Sequence, residues 1–454
     1  MKYLYIVTLI ILSSCNLAPK YADPKPSIDL DPINNEKDVT KVSWKEFFKS
    51  KPLQQVIEIT LENNQDLKTA YLNIESSRAT YDIERKKLIP TINATTNLTR
   101  QRAPAAFAAF TPKSIYRANL NIASYEIDFY GKIRNAKNSA LESFFATKEA
   151  KNIMEISLIT QTANAYIQLL TDQNTLALIE ESLKEQKNKL EIIKSRKENG
   201  RALQTDVLNY HADYEMTKLL KINYQKIVEL DKNNLMLLMG DFDKSKIPQF
   251  TLSDISFDEN IFDFMPSKTL LLRPDIKEAE HKLKAANADI GVARAAFFPT
   301  ISLSANYGYY SRDLSSLFDS GSWSFAPTIN LPIFDGGKNR ANLRLSKIQK
   351  KTLISNYQKT IQNAFKEVLD ELEIRKNNVE QMNSYQQISN LKQEHFNIIK
   401  LQRLNGTQDS IAVSNSHLEF ITAKSNEIEQ KREYFRNLID LYKVLGGNSS
   451  SSDI

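Results

Sequence analysis

The chain is short of the residues that interrupt regular structure, with 11 glycines and 14 prolines among 454 residues. Together these are about half the share usual in a globular protein. Gly and Pro punctuate helices and turns, so their scarcity argues against an all-β domain or a many-looped α/β enzyme and favours long helices. Cysteine occurs once, which excludes a disulfide framework and a thiolate zinc site. Charge of one sign is not concentrated either. The 60 Lys and Arg are mixed among 54 Asp and Glu with no basic block, so no nucleic-acid surface is indicated. His211, His281, His395 and His417 form no i, i+4 ligand pair, and no metalloprotease, phosphate-loop or nucleophile-elbow motif occurs. The expectation is therefore no metal, no cofactor and no enzymatic activity. Hydrophobic residues at 41% and charged residues at 25% exclude wholesale disorder.

One strongly apolar run is present, Tyr3 to Leu12, preceded by Lys2 and followed by Leu12-Ser13-Ser14-Cys15. It is too short to span a bilayer, which takes about 20 residues. A positive start, an apolar stretch and small residues before a cut describe a secretory signal, here residues 1–14. Leu-Ser-Ser-Cys matches the bacterial lipobox, so Cys15 is the expected lipidation site, carrying palmitate-type acyl chains. Asn16 follows it where inner-membrane lipoproteins commonly carry aspartate, which points to the outer membrane.

The rest of the chain repeats once. Asn199-Gly200 recurs as Asn405-Gly406 and Gly240 as Gly446, an offset of 206; Asp66-Leu67 recurs as Asp275-Ile276 and Pro90-Thr91-Ile92 as Pro299-Thr300-Ile301, an offset of 209. A duplication with one loop length change explains both. After an N-terminal part (15–60), the first repeat (61–240) reads as a helix over 64–88, two strands within about 91–128, a long helix over 132–198 and a return helix over 203–239. A linker (241–266) leads to the second repeat (267–446): a helix over 267–297, strands within about 300–331, a long helix over 338–404 and a return helix over 409–445. A tail (447–454) follows. Each long helix would run roughly 100 Å at 1.5 Å per residue, closed by an Asn-Gly C-cap. Ile159, Ala163, Tyr166, Ile167 and Leu170 supply the apolar stripe that such a helix must bury.

Four short segments alternate. Ile301, Leu303, Ala305, Tyr307 and Tyr309 oppose Thr300, Ser302, Ser304, Asn306 and Gly308; similar patterns run through Tyr116–Ile122, Trp323–Leu331 and, more weakly, Thr91–Arg100. About ten residues of this alternation is the signature of an outer-membrane strand, and Tyr307, Tyr309, Tyr310 and Trp323 suit an interfacial girdle. Four strands cannot close a barrel alone, so membrane strands here imply an oligomer sharing one barrel. Soluble hairpins packed on helices are the other reading of the same pattern.

Five ordered motifs resemble the TolC-like outer-membrane efflux proteins, in particular the lipid-anchored branch that works with resistance-nodulation-division (RND) pumps. They are Cys15 to Tyr21; Trp44 and Phe47 with Asn63-Asn64-Gln65-Asp66-Leu67; Ser124 to Lys132; Leu272-Arg273-Pro274-Asp275-Ile276 through to Phe298-Pro299; and Leu331 to Gly337. The resemblance implies a mainly α protein with membrane β: a homotrimer sharing a 12-stranded β-barrel on a periplasmic helical coiled-coil barrel, with a mixed equatorial girdle. It implies a passive exit duct for drugs or other small molecules, lipid-anchored in the outer membrane, served by a periplasmic adaptor and an inner-membrane pump of RND type. The adaptor would meet the hairpin tips at Asn199, Gly200, Arg201, Asn405, Gly406 and Thr407. Where family members often carry pore-constricting carboxylates, this chain has Ala412 and Asn415, and where some have a tip arginine it has Gln408. The constriction candidates are therefore Asp206, Gln408, Asp409, Ile411, Ala412 and Asn415, with weak inhibition by polyvalent cations expected. The duct of a type I protein-secretion system and a structural coiled-coil envelope lipoprotein are the alternatives.

Overall fold

A computed structural model describes residues 16–22, 24, 42–102, 104, 106, 112–248, 250–260 and 267–447. The signal (1–14), the acylation candidate Cys15 and residues 448–454 lie outside the described residues. The elements in order are α1 Trp44–Phe47, α2 Lys51–Asn63, α3 Gln65–Lys86, β1 Asn93–Arg100, β2 Ser114–Ile127, α4 Lys132–Glu198, α5 Gln204–Met239, α6 Pro274–Ala295, β3 Thr300–Ser311, β4 Gly321–Asn330, α7 Lys338–Leu404 and α8 Ser410–Val444. Two boundaries differ from the sequence reading. The helix expected over 267–297 begins only at Pro274, after a 3₁₀ stretch Ser267–Leu272. Proline suits the first helical position but disfavours helix in the residue before it. The helix expected from 64 is preceded by α2, and Asn64 separates the two. Its Oδ1 accepts the backbone N–H groups of Asp66 (2.9 Å) and Leu67 (3.1 Å), capping α3.

The chain divides into two compact units. One comprises 1–26, 72–149 and 277–359 and holds all four strands. They form one antiparallel sheet in the order β1-β2-β3-β4. Each long helix starts here under a carboxylate cap, which satisfies orphan N–H groups of the first turn. Asp128 accepts from the N–H groups of Ile133 and Arg134, and Asp335 from those of Gly337 and Asn339. Ile133 and Asn339 are repeat equivalents. Asp335-Gly336-Gly337 is thus a strand-to-helix turn.

The other unit comprises 27–71, 150–276 and 360–454 and carries the main core. Trp44, Phe47, Phe48, Leu53 and Ile57 of the α1–α2 region pack with Tyr166, Ile167 and Leu170 of α4 and with Leu438, Ile439 and Tyr442 of α8. Phe47 stacks on Tyr442 at 4.7 Å, and Tyr166 Oη donates to Pro248 O at 3.1 Å. Burying each such side chain is worth about 1.5–3 kcal/mol, so this cluster holds the middle of α4 and the end of α8. Arg273 ties the second repeat together. Its fork donates to both Asp275 oxygens (3.0 and 2.8 Å), to Glu367 (2.8 Å) and to the C-terminal carbonyl of α8 at Val444 (2.6 Å). The Leu272–Ile276 motif is thus a structural staple.

Candidate functional site: strand wall and hairpin turns

Register makes the sheet two-faced. Ala94, Leu120, Tyr307 and Trp323 form one cross-strand row, and Ile122, Ala305 and Phe325 the next. The opposite face carries Asn93, Asn121, Asn306 and Ser324 in one row, and Thr95, Asn119, Gly308 and Ser322 in another. The apolar face is open: Trp323 is 75% exposed and Ile329 69%. A bulge between Ile122 and Tyr125 rephases β2. Strict alternation would place Ser124 and Glu126 on the apolar face. The extra residue instead aligns Tyr125 with Leu303 and Ile127 with Ile301, so the apolar face continues. Tyr310 is a correction to the girdle expected from sequence. It lies on the polar face opposite Arg117, whose guanidinium sits 5.0 Å from its ring and donates to its hydroxyl at 3.2 Å.

Both edge strands, β1 and β4, lack a second neighbour among the described residues. Among those residues no helix is long and apolar enough to cross a membrane.

The hairpin turns belong to the other unit and are near-copies. Gly200 N–H donates to Lys197 O and Arg201 N–H to Arg196 O; Gly406 donates to Arg403 O and Thr407 to Gln402 O. Gly200 and Gly406 have φ of 68° and 77°, where a side chain is strained. Asn199 and Asn405 are exposed beside them.

The return-helix starts differ. Asp409 caps α8 by accepting from Ala412 N–H (2.8 Å) and pairs with Arg196 of α4 (3.0 Å). The Ala412 N–H and the Arg196 guanidinium hold its carboxyl below the usual range. The equivalent position before α5 is Leu203, 69% exposed, whose N–H is held by Asp206 at 2.9 Å. Gln408 is exposed, and Ile411 and Ala412 are half-buried. Asn415 lines a groove of about 570 Å³ with Ile388, Lys392 and Glu419, the last two ion-paired at 2.7 Å. Below these, His417 bridges α8 to Glu181 (3.0 Å) and Glu185 (3.6 Å) of α4 while stacking on Phe396.

One acidic pair escaped the sequence reading. Asp172 of α4 and Asp231 of α5 lie together, with Gln168 donating to Asp172 at 2.6 Å. Burial first, then the neighbouring Asp172, push the Asp231 carboxyl up to about 7. The two lie 59 positions apart, so no local spacing signals them. No group of three His, Cys, Asp or Glu able to hold a metal occurs among the described residues.

An antiparallel sheet that exposes an apolar face and leaves two edges open among the described residues, in a chain that also forms long helical hairpins, defines a class: channel proteins whose membrane barrel is assembled from several chains. Comparison with known proteins names the family. The model of the outer membrane efflux protein family matches residues 56–241 and 265–447. Probable efflux pump outer membrane protein TtgC of Pseudomonas putida is 35% identical over 97% of this chain and 94% of its own length. Outer membrane protein OprJ of Pseudomonas aeruginosa is 31% identical over 97% and 95%. The open state of the Neisseria gonorrhoeae MtrE outer membrane channel superposes with a TM-score of 0.84 at 31% identity, covering 95% of this chain and 98% of that one. The chain belongs to the outer membrane efflux protein family and is an outer-membrane channel component.

Proposed function

We propose that three copies of this chain close a twelve-stranded barrel and form the passive exit duct of a tripartite efflux system for drugs and other small molecules. The sheet carries this reading: among the described residues, four strands, two unpaired edges and one continuous apolar face demand partner strands in lipid. Two exposed helical stripes support it. Leu208, Leu219, Leu230 and Leu237 line α5, and Ile388, Leu391, Ile398 and Leu401 line α7; all are between 46% and 64% exposed in the single chain. Each stripe suits a neighbouring copy. A periplasmic adaptor engages the turns at Asn199, Gly200, Arg201, Asn405, Gly406 and Thr407, and an RND pump in the inner membrane supplies energy. The duct performs no chemistry and needs no cofactor. Cys15 is acylated and adds a lipid anchor to the barrel.

Asp206, Gln408, Asp409, Ile411, Ala412 and Asn415 form the constriction. Its two carboxylates are already engaged, Asp206 by Leu203 N–H and Asp409 by Ala412 N–H and Arg196. Polyvalent cations accordingly bind weakly. Purified protein in planar bilayers should conduct ions, and a trivalent cation should leave most of the current. Silence from trimers carrying wild-type sequence and from those carrying Asp409→Ala overturns the channel; strong trivalent block overturns the constriction.

A further inference from the structure

Two charged side chains stand on the polar face of the sheet, Arg117 of β2 and Glu126 near the other end of the same strand. Their surroundings differ. Both Glu126 carboxylate oxygens accept from Lys132 Nζ, at 3.1 Å each, so that charge is matched on the spot. Arg117 has no carboxylate partner among the described residues. Its Nη2 donates to the Tyr310 hydroxyl at 3.2 Å, its guanidinium lies 5.0 Å from that ring's centre, and its Nε is buried without an acceptor. A phenol ring steadies a guanidinium without cancelling its charge. The surrounding sequence does not cancel it either. Residues 93–125 contain no Asp or Glu, and residues 300–330 contain only Asp313 and Asp319, against Arg100, Arg102, Lys113, Arg117 and Arg312 across the two stretches. Arg117 is the fourth residue of β2 and Tyr310 the penultimate residue of β3, whereas β2 ends toward α4 and β3 begins after α6. The pair therefore sits at the end of the sheet remote from the helices.

We propose that Arg117, steadied by Tyr310, is a specificity-determining residue of the duct. Repeated around the shared barrel it forms a ring of three cations at the outer mouth, which favours cargo bearing a carboxylate, sulfate or phosphate over cationic cargo. The inference rests on the trimeric duct, in which the polar face of the sheet lines the lumen. Rings of Arg or Lys select anions in other pores by the same physics. Twelve strands about 4.8 Å apart and tilted about 40° enclose a wall of radius roughly 12 Å. The axis then lies about one Debye length from each Arg117 in 0.1 M salt, where that length is ~10 Å, and several lengths away in 1 M salt, where it is ~3 Å. The ring therefore acts across the whole lumen at low salt and is screened out at high salt.

The test uses purified full-length protein in planar bilayers. Under a gradient centred on 0.1 M KCl, the chloride-to-potassium permeability ratio should be several-fold lower in Arg117→Gln than in wild type, and the difference should vanish around 1 M KCl. Sulfated β-cyclodextrin, added to the chamber that the strands face, should block the wild-type current at several-fold lower concentration than the Arg117→Gln current. Asn97 is exposed and lies directly across the strand pair from Arg117. Asn97→Asp therefore neutralises the ring in place, and it should give the same two changes whether or not Arg117→Gln inserts. Variants that match wild type in either reading overturn the ring and leave the duct standing. No current from the wild-type protein overturns the duct, and the ring with it.

Discussion

Asn64 and Arg273 occupy the same place in the two repeats, and both reach across to the last turn of their own return helix. Asn64 Nδ2 donates to Leu238 O at 2.9 Å; Arg273 Nη1 donates to Val444 O at 2.6 Å. One skeletal joint is thus made twice with different chemistry, a short amide in one half and a forked cation in the other. The long helices diverge further. Tyr166, Ile167 and Leu170 of α4 are buried in the core, whereas their equivalents on α7 are Leu372, Glu373 and Lys376, all exposed. At the turns, Leu203 stands where Asp409 caps and latches. The buried Asp172 and the half-buried Asp231 are replaced by Asn378 and Asn437. Duplication keeps backbone stops and joints, while burial and charge follow each copy's neighbours. In this chain the middle of the first long helix is buried, whereas the equivalent stretch of the second is exposed, as an edge awaiting a neighbouring copy under the proposed trimer would be.

That division can be broken at its strongest point first. Tyr166→Ala on α4 should cost about 3–5 kcal/mol of protomer stability. Leu391→Asp on α7 should leave the protomer folded and abolish the trimer. Denaturant unfolding and native gels together separate the two, and the reverse pattern would sink the internal-versus-edge distinction. The joints come next. Arg273→Ala should cost about 2–3 kcal/mol, because it strips charge-assisted bonds from Asp275, Glu367 and the α8 terminus. Asn64→Ala should cost about 1 kcal/mol, the usual worth of a cap. Thermal unfolding of both variants gives the ranking.

Smaller effects belong to the turns. Asp409→Ala removes a helix cap worth about 1 kcal/mol and releases Arg196, so channel openings should become more frequent in bilayer recordings. Leu203→Asp should stabilise α5 by a similar amount with no effect on opening. Last is the acidic pair, whose effect is confined to one side of a pH window. Asp231 ionises near its ordinary pKa of about 3.9 when unfolded and near about 7 when folded. The folded state therefore holds the proton more tightly, and stability falls as pH rises through that window. Asp231→Asn, which copies the second repeat, should raise the Tm at pH 8 and leave it nearly unchanged at pH 4. An equal shift at both pH values would mean that the pair does not titrate between them.

Much of this was legible because the few breakers are so regularly placed. Gly131, Gly200 and Gly240 recur as Gly337, Gly406 and Gly446, and all six have φ between 65° and 90°. Six of the 11 glycines thus mark the same three stops in both copies, which is why the offset of 206 was visible in the sequence. Strand alternation was legible wherever the pleat is regular; it sets Tyr310 on the polar face, against the girdle reading, and it stops at Ile122, short of the β2 bulge. A face assignment by parity slips after one extra residue, and an aromatic ring suits either a lipid girdle or an Arg117 partner. The reach of Arg273 to Val444 and the meeting of Asp172 with Asp231 were invisible, since both depend on how separate helices pack. The latch at Asp409 was half visible: its cap follows from its place before α8, but its partner Arg196 lies 213 residues away.

The shared barrel is tested most directly by weighing the particle. Native mass spectrometry of the protein extracted from membranes in mild detergent should give three chains per particle, with acyl mass additional to each. Four strands cannot enclose a pore, so a stable single-chain particle that conducts ions in a bilayer would contradict the account.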